Sequence, residues 1–132
     1  MNRELDNVID AICEKDARYK REVYEFIMEA LSFTQKKFRR PKHVTGEELL
    51  DGIKECLMEK FGPMTLFVLD QWGIKGTEDF GNIVFNLVHN KVLSKTEEDT
   101  LESFKNGFDF KQAFNIEYQQ QLAKRISKMR ST

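Results

Sequence analysis

A mainly α fold of about six helices in one domain is what this sequence predicts, and three observations predict it. Apolar residues recur at i, i+3, i+4 and i+7 along most of the chain. Helix caps and breakers punctuate the periodic stretches. Eleven Phe beside three Tyr and one Trp in 132 residues make a heavy aromatic load, each buried ring contributing roughly 1.5–3 kcal/mol. At this length one core suffices. The expected organisation within the single domain 1–132 is an N-terminal helical pair (1–43), a helical core with a candidate hairpin (44–112), and a C-terminal amphipathic helix or tail (113–132).

Leu5, Val8, Ile9, Ile12 and Cys13 follow the amphipathic rule and predict a helix over 3–15. Val23, Phe26, Ile27, Ala30, Leu31, Thr34 and Phe38 hold one stripe for more than four turns, and Pro41 closes that segment. Thr45-Gly46-Glu47-Glu48 reads as a capping box opening a third helix, whose buried face is Leu49, Leu50, Ile53, Leu57 and Phe61. Gly62-Pro63 breaks it. A short fourth helix, about 63–72, is apolar nearly all round, which predicts burial on most sides. Gly73 reads as a left-handed stop, and Thr77 as the cap of a fifth helix running to about Lys91. Gln119, Leu122, Ala123, Ile126 and Met129 or Arg130 mark a basic amphipathic C-terminal helix.

Between the last two helices, Val92 to Lys95 reads as an extended piece, Asn106-Gly107 as a turn, and Phe108 and Phe110 as alternating residues of a returning strand. Helices at 45–61, 63–72 and 77–91 followed by a small β-hairpin near 92–112 are the element order of a winged-helix-like core. Gly81, inside the fifth helix, signals a close backbone approach, with another helix as the expected neighbour.

Charge is uneven although the net is −1. Residues 1–16 carry five acids against two bases, 17–43 eight bases against three acids, 44–103 twelve acids against five bases, and 104–132 six bases against two acids. Such blocks can meet within the fold or between two chains. Cys13 and Cys56 sit among apolar neighbours and form no disulfide framework, so a reducing compartment is expected. The N-terminus has acids where a secretory leader needs bases followed by an apolar run. Met64 to Leu69 is far short of the ~20 residues needed to span a bilayer. The expectation is a cytoplasmic protein with no membrane partner.

Two surfaces stand out as binding candidates. Lys36, Lys37, Arg39, Arg40 and Lys42, with Phe33 and Phe38 nearby, form a dense basic cluster that could grip a polyanion. The bland reading is a set of bases complementing the carbonyl end of a helix. Glu78, Asn82, Asn86, His89 and Asn90 share a polar strip on the fifth helix while Phe80, Val84, Leu87 and Val88 face inward. Asn can read adenine, but Glu78 and Asp79 stand where a recognition helix meets phosphates, so nucleic acid is disfavoured and a partner-facing surface preferred. Cys13, His43, Cys56 and His89 match no compact metal-ligand spacing. No Gly-rich phosphate or oxyanion loop accompanies them, so no catalytic, metal or cofactor residues are expected. Glu97, Glu98, Asp99 and Glu102 lack the spacing of a calcium loop.

Tyr19, Ala30-Leu31, the run 43–50 (His-Val-Thr-Gly-Glu-Glu-Leu-Leu), Phe61-Gly62-Pro63-Met64, Trp72-Gly73-Ile74 and the run 77–88 together resemble an uncharacterised bacterial family of conserved hypothetical proteins, found mainly in planctomycetes and verrucomicrobia. The resemblance continues through Asp99, Phe104, Gly107, Phe108 and Phe110; the first helix and the basic tail fall outside it. It implies a bacterial cytoplasmic origin and transfers no activity. The reading that fits best is a non-enzymatic protein-interaction or assembly module, either homo-oligomeric or bound to another protein. The alternative is a winged-helix nucleic-acid-binding regulator.

Overall fold

A computed structural model describes residues 3–40, 44–93, 104–105 and 107–130. Six α-helices occur among them: α1 (Arg3–Lys15), α2 (Arg21–Lys37), α3 (Gly46–Phe61), α4 (Thr65–Gln71), α5 (Thr77–His89) and α6 (Glu117–Arg130). A 3-10 turn, Gly62–Met64, leads into α4, and a π-helical turn, Gln112–Ile116, leads into α6. One apolar cluster joins the inward faces of α1 to α5 with Phe104, Ala113 and Phe114. The periodic stripes read from the sequence are those faces: Ile9 and Ile12, then Val23, Phe26, Ile27 and Ala30, then Leu49, Leu50, Ile53 and Leu57 are all buried.

The pairing of α2 with α3 is the most extensive in the fold. Its closeness depends on Gly52, since a Cβ there would stand 1.8 Å from Thr34 Oγ1. Thr34 is fully buried and donates to the Ala30 carbonyl at 2.7 Å. The α3 cap is the expected box: Glu48 N donates to Thr45 Oγ1 at 3.0 Å and Thr45 N to Glu48 Oε1 at 2.9 Å. Three helices end alike, with one residue in the left-handed region and the next amide reaching back five residues. Those residues are Gly73 (φ 72°), Arg39 (φ 55°) and Lys91 (φ 62°), and the reaching amides are Ile74, Arg40 and Val92.

Several expectations need correction. The hairpin near 92–112 and the winged-helix core built on it are not supported, because there is no strand among the described residues. Residues 94–103 and 106 of that stretch lie outside them. The physical reason at the far end is a cap: Asp109 Oδ1 accepts from Gln112 N at 2.9 Å, and Ala113 N donates to the Asp109 carbonyl at 2.9 Å, so the chain turns helical at Phe110. Phe108 and Phe110 instead gather around Phe114, with ring centroids 5.7 and 5.9 Å away. At the near end, Val92 is held by the closure of α5.

Thr77 is not the cap of α5. Gly76 holds the cap position, and Asp79 in the first turn closes it, its Oδ2 accepting from Lys75 N at 2.7 Å and Gly76 N at 3.3 Å. The Thr77 hydroxyl donates to the Phe104 carbonyl and accepts from Gly107 N at 3.0 Å, tying the returning chain to α5. The neighbour of Gly81 is also Phe104, a residue in 3-10 conformation whose Cβ lies 2.8 Å from where a Gly81 Cβ would stand. Finally, α4 is less covered than its composition suggests, although Leu66 and Val68 are partly buried against the core. Thr65, Leu69 and Trp72 are buried, but Met64 and Phe67 are 54% and 57% exposed.

Candidate functional site

The polar strip of α5 faces the α1–α2 connection, and its amides are engaged there. Buried Tyr19 donates its hydroxyl proton to Asp79 Oδ1 at 2.6 Å and accepts from Asn82 Nδ2 at 3.0 Å. One turn on, Asn86 Nδ2 donates to Asp16 Oδ2 at 3.1 Å and to the hydroxyl of buried Tyr24 at 3.0 Å. Asn90 Nδ2 reaches back to the Asn86 carbonyl at 2.8 Å and finishes its own helix. Glu78 and His89 are exposed, His89 stacking on Phe85 with centroids 5.9 Å apart. Thus Asn82, Asn86 and Asn90 are brought together as internal ties, whereas Glu78 and His89 remain at the surface.

The local chain explains why Asp16 stands ready for Asn86. Arg18 N closes a tight turn on Asp16 Oδ1 at 3.1 Å, and the Arg18 guanidinium grips both carboxylate oxygens at 2.7–3.2 Å. That guanidinium, ahead of the Asn86 amide, holds the Asp16 carboxyl well below the usual carboxylate range. Burial, then the neighbouring Asp79, pushes the Tyr19 hydroxyl up to about 12, and burial raises Tyr24. Asp16 therefore stays ionised and both phenols stay neutral around neutrality. None of the three is poised for proton transfer there.

The basic segment ending α2 lies on the acidic face of α3. Lys37 Nζ is 2.7 Å from Asp51 Oδ2 and 3.1 Å from Glu55 Oε1, and Arg40 Nε is 2.9–3.0 Å from both Glu48 oxygens. Lys36 and Arg39 are exposed; Lys42 lies outside the described residues. Two opposed charge blocks thus meet within the fold. These are partly exposed pairs, each contributing ~0.2–1 kcal/mol, and they occupy cations that a polyanion would otherwise use.

Cys13 and Cys56 are free and half-buried, and burial raises both thiols, which keeps them protonated and weakly nucleophilic. Among the described residues no group of three or more His, Cys, Asp or Glu could hold a metal ion; His43 lies outside them. An open groove of about 340 Å³ borders the start of α5, between Lys75, Glu78, Phe108 and Asp109. The Asp79 carboxylate already stands at that helix end, accepting from the Lys75 and Gly76 amides just before α5, which disfavours an anion there.

Among the described residues, α6 carries an exposed apolar stripe. Leu122, Ile126 and Met129 are 42%, 44% and 76% exposed along one face. Lys124, Arg125 and Lys128 lie on the other sides, also exposed. The helix packs mainly against the π-helical turn it continues from. A π turn takes an extra residue per hydrogen-bonded loop, so it shifts the phase between the face buried at Ala113 and Phe114 and the stripe that follows. Sequence periodicity identifies α6 as amphipathic but reveals neither that shift nor the exposure of Met64, Phe67 and Phe85. The Tyr19 and Tyr24 ties were also missed; the only local signal was the Asn82, Asn86, Asn90 spacing of four.

No helix among the described residues is long and apolar enough to cross a membrane. Comparison with protein-family models, with curated proteins and with solved structures finds no match for this chain.

Proposed function

We propose that this chain is a non-enzymatic protein-interaction or assembly module that engages its partner through the apolar face of α6. The observation that carries this reading is the exposure of Leu122 and Ile126 together on a helix with little body to lean on. Three apolar side chains aligned over two turns of an otherwise polar helix have a physical use when something covers them. Asn82, Asn86, Lys37 and Arg40, from the other two candidate surfaces, are bonded inside the chain. The partner is a protein, another copy included, and no cofactor or metal takes part. A bacterial cytoplasm is the setting to which the family resemblance and the two free thiols point.

The nucleic-acid alternative has less to stand on. Asn82 and Asn86 direct their amides at Tyr19, Tyr24 and Asp16, and Lys37 and Arg40 are paired with acids of α3. A gel shift at low salt is expected to show no retardation of a duplex; retardation that fades with salt would restore it. The direct test is capture with the tagged full chain from its own cells, wild type against the Leu122→Gln, Ile126→Gln double variant. The reading predicts a protein, either an untagged copy or another chain, held by the wild type and lost from the variant. Identical capture by both would refute it.

A further inference from the structure

We propose that Thr77 is a positioning residue for the interaction surface: its buried hydroxyl latches the chain returning to α5, and so sets the direction in which α6 leaves the body. The proposal rests on α6 being the docking element, and it adds what aims that element. Three observations support it.

The first is the latch. Thr77 is buried at the start of α5, yet its hydroxyl serves chain some thirty positions on. It donates to the Phe104 carbonyl and accepts from Gly107 N at 3.0 Å. One side chain thus meets a carbonyl and an amide three positions apart in the returning chain. Removing the hydroxyl takes a partner from two backbone groups at once, which costs more than an ordinary hydrogen bond contributes.

The second is close approach. A Cβ on Gly81, one turn further along α5, would stand 2.8 Å from Phe104 Cβ, and one on Gly107 would stand 2.5 Å from Leu50 Cδ1. Two glycines, one on each side of the contact, let Phe104 and Gly107 come within reach of the Thr77 hydroxyl. Phe104 is buried in that seat.

The third is what the seat carries. Beyond Gly107, the Phe110 ring meets Phe80 of α5 with centroids 6.0 Å apart, and Phe108 and Phe110 surround Phe114. Ala113 and Phe114 are buried in the π-helical turn from which α6 continues. Because α6 packs mainly against that turn, it inherits its direction from the segment behind it. Met129 lies thirteen residues past the turn, roughly 20 Å along the helix. A small tilt at the root therefore displaces the apolar stripe far more than it moves the turn itself.

Capture with the tagged full chain, at a temperature where circular dichroism shows each variant folded, tests this. Thr77→Val nearly keeps the shape and removes the hydroxyl; Thr77→Ser keeps the hydroxyl. Gly81→Ala presses on Phe104 while favouring the helix it stands in. Thr77→Val and Gly81→Ala are expected to lose most of the protein that the wild type holds, because a misdirected α6 binds only in the fraction of time it is seated. Thr77→Ser is expected to hold it as the wild type does. So is Asn86→Ala, which weakens the fold away from the seat and leaves α6 aimed. Undiminished capture by folded Thr77→Val and Gly81→Ala overturns the proposal. An equal loss in Asn86→Ala overturns it too, since weakened stability alone would then account for the effect. Should Thr77→Val not fold, Gly81→Ala decides by the same reading; should neither fold, Thr77 is a residue of the core and the proposal falls. If Leu122 and Ile126 govern capture and Thr77 does not, the interaction reading survives alone; if Leu122 and Ile126 do not govern it, both fall.

Discussion

The basic segment closing α2 and the basic helix α6 carry similar charge in contrasting surroundings. Lys37 and Arg40 lie against Asp51, Glu55 and Glu48, and the apolar stripe of α2 is buried through Val23, Phe26, Ile27 and Ala30. In α6 the bases and the stripe Leu122, Ile126, Met129 are both exposed. Both helices satisfy the same amphipathic rule. What separates them is the surface each one meets: α3 reaches α2 through a connection of eight residues and closes on it at Gly52, whereas among the described residues α6 packs mainly against the π-helical turn it continues from. Amphipathicity announces that a helix has a face to cover, and the fold decides whether the cover is internal.

The comparison can be broken most sharply at the crossing that makes α2 an internal helix. Gly52→Val drives a Cβ bearing two methyl groups into Thr34 and is expected to destabilise the fold by about 3 kcal/mol, read as a lower urea midpoint. Thr34→Ala combined with Gly52→Ala is expected to cost less than the two singles added, because the first removes the hydroxyl nearest the new Cβ.

Next in size is the tie between α5 and the α1–α2 connection. Asn86→Ala leaves the Tyr24 hydroxyl and an Asp16 oxygen without their shared donor, at about 2 kcal/mol; chemical denaturation measures it. An unchanged midpoint would mean that this strip does not hold the body together.

The same strip gives the body an alkaline limit. Tyr19 titrates near 12 in the folded chain against 10.0 in its ordinary state, so its contribution is complete below pH 10 and is lost as pH rises from 10 through 12. Tyr24, also raised, acts in the same direction. Asp16 works oppositely: its carboxyl is lowered, so its contribution is present above 3.8 and is lost only as pH falls further below that. Thermal unfolding across pH 9–12 should show the decline, flattened in Tyr19→Phe.

The smallest effect lies at the end of α2. Arg39 holds a left-handed conformation that glycine adopts freely, as Gly73 does at the equivalent place after α4. Arg39→Gly is expected to stabilise the fold by about 1 kcal/mol, with Lys37 and Arg40 still paired. Loss of stability would show that Arg39 makes a contribution beyond its backbone.

Much of this architecture was legible in the residues. The Thr45–Glu48 box, the Gly73 stop and the buried faces of α1, α2 and α3 follow from local rules, since caps and stripes involve neighbours within a few positions. Asp109 shows how a local signal loses to a competing one: alternating Phe108 and Phe110 suggest a strand, yet the carboxylate that caps Gln112 N sits between them. Thr77 shows the limit of local reading, because its hydroxyl answers to Phe104 and Gly107, some thirty positions away. The candidate surfaces were harder. Asn82 and Asn86 look solvent-facing on a helical wheel because nothing nearby in sequence announces Tyr19 and Tyr24. Met64 and Phe67 look buried because apolar composition does not say which side of a short helix is covered.

Amide hydrogen exchange on the full chain, followed at low and at high protein concentration, tests the contrast between a closed body and an open α6 most directly. The account predicts that amides of α2, α3 and α5 are protected equally at both concentrations. Amides of α6 should be less protected than these at the lower one, and any gain at the higher one should be lost in the Leu122→Gln, Ile126→Gln variant. Protection of α6 equal to that of α3 at every dilution would contradict it, by showing that the chain already covers that helix itself.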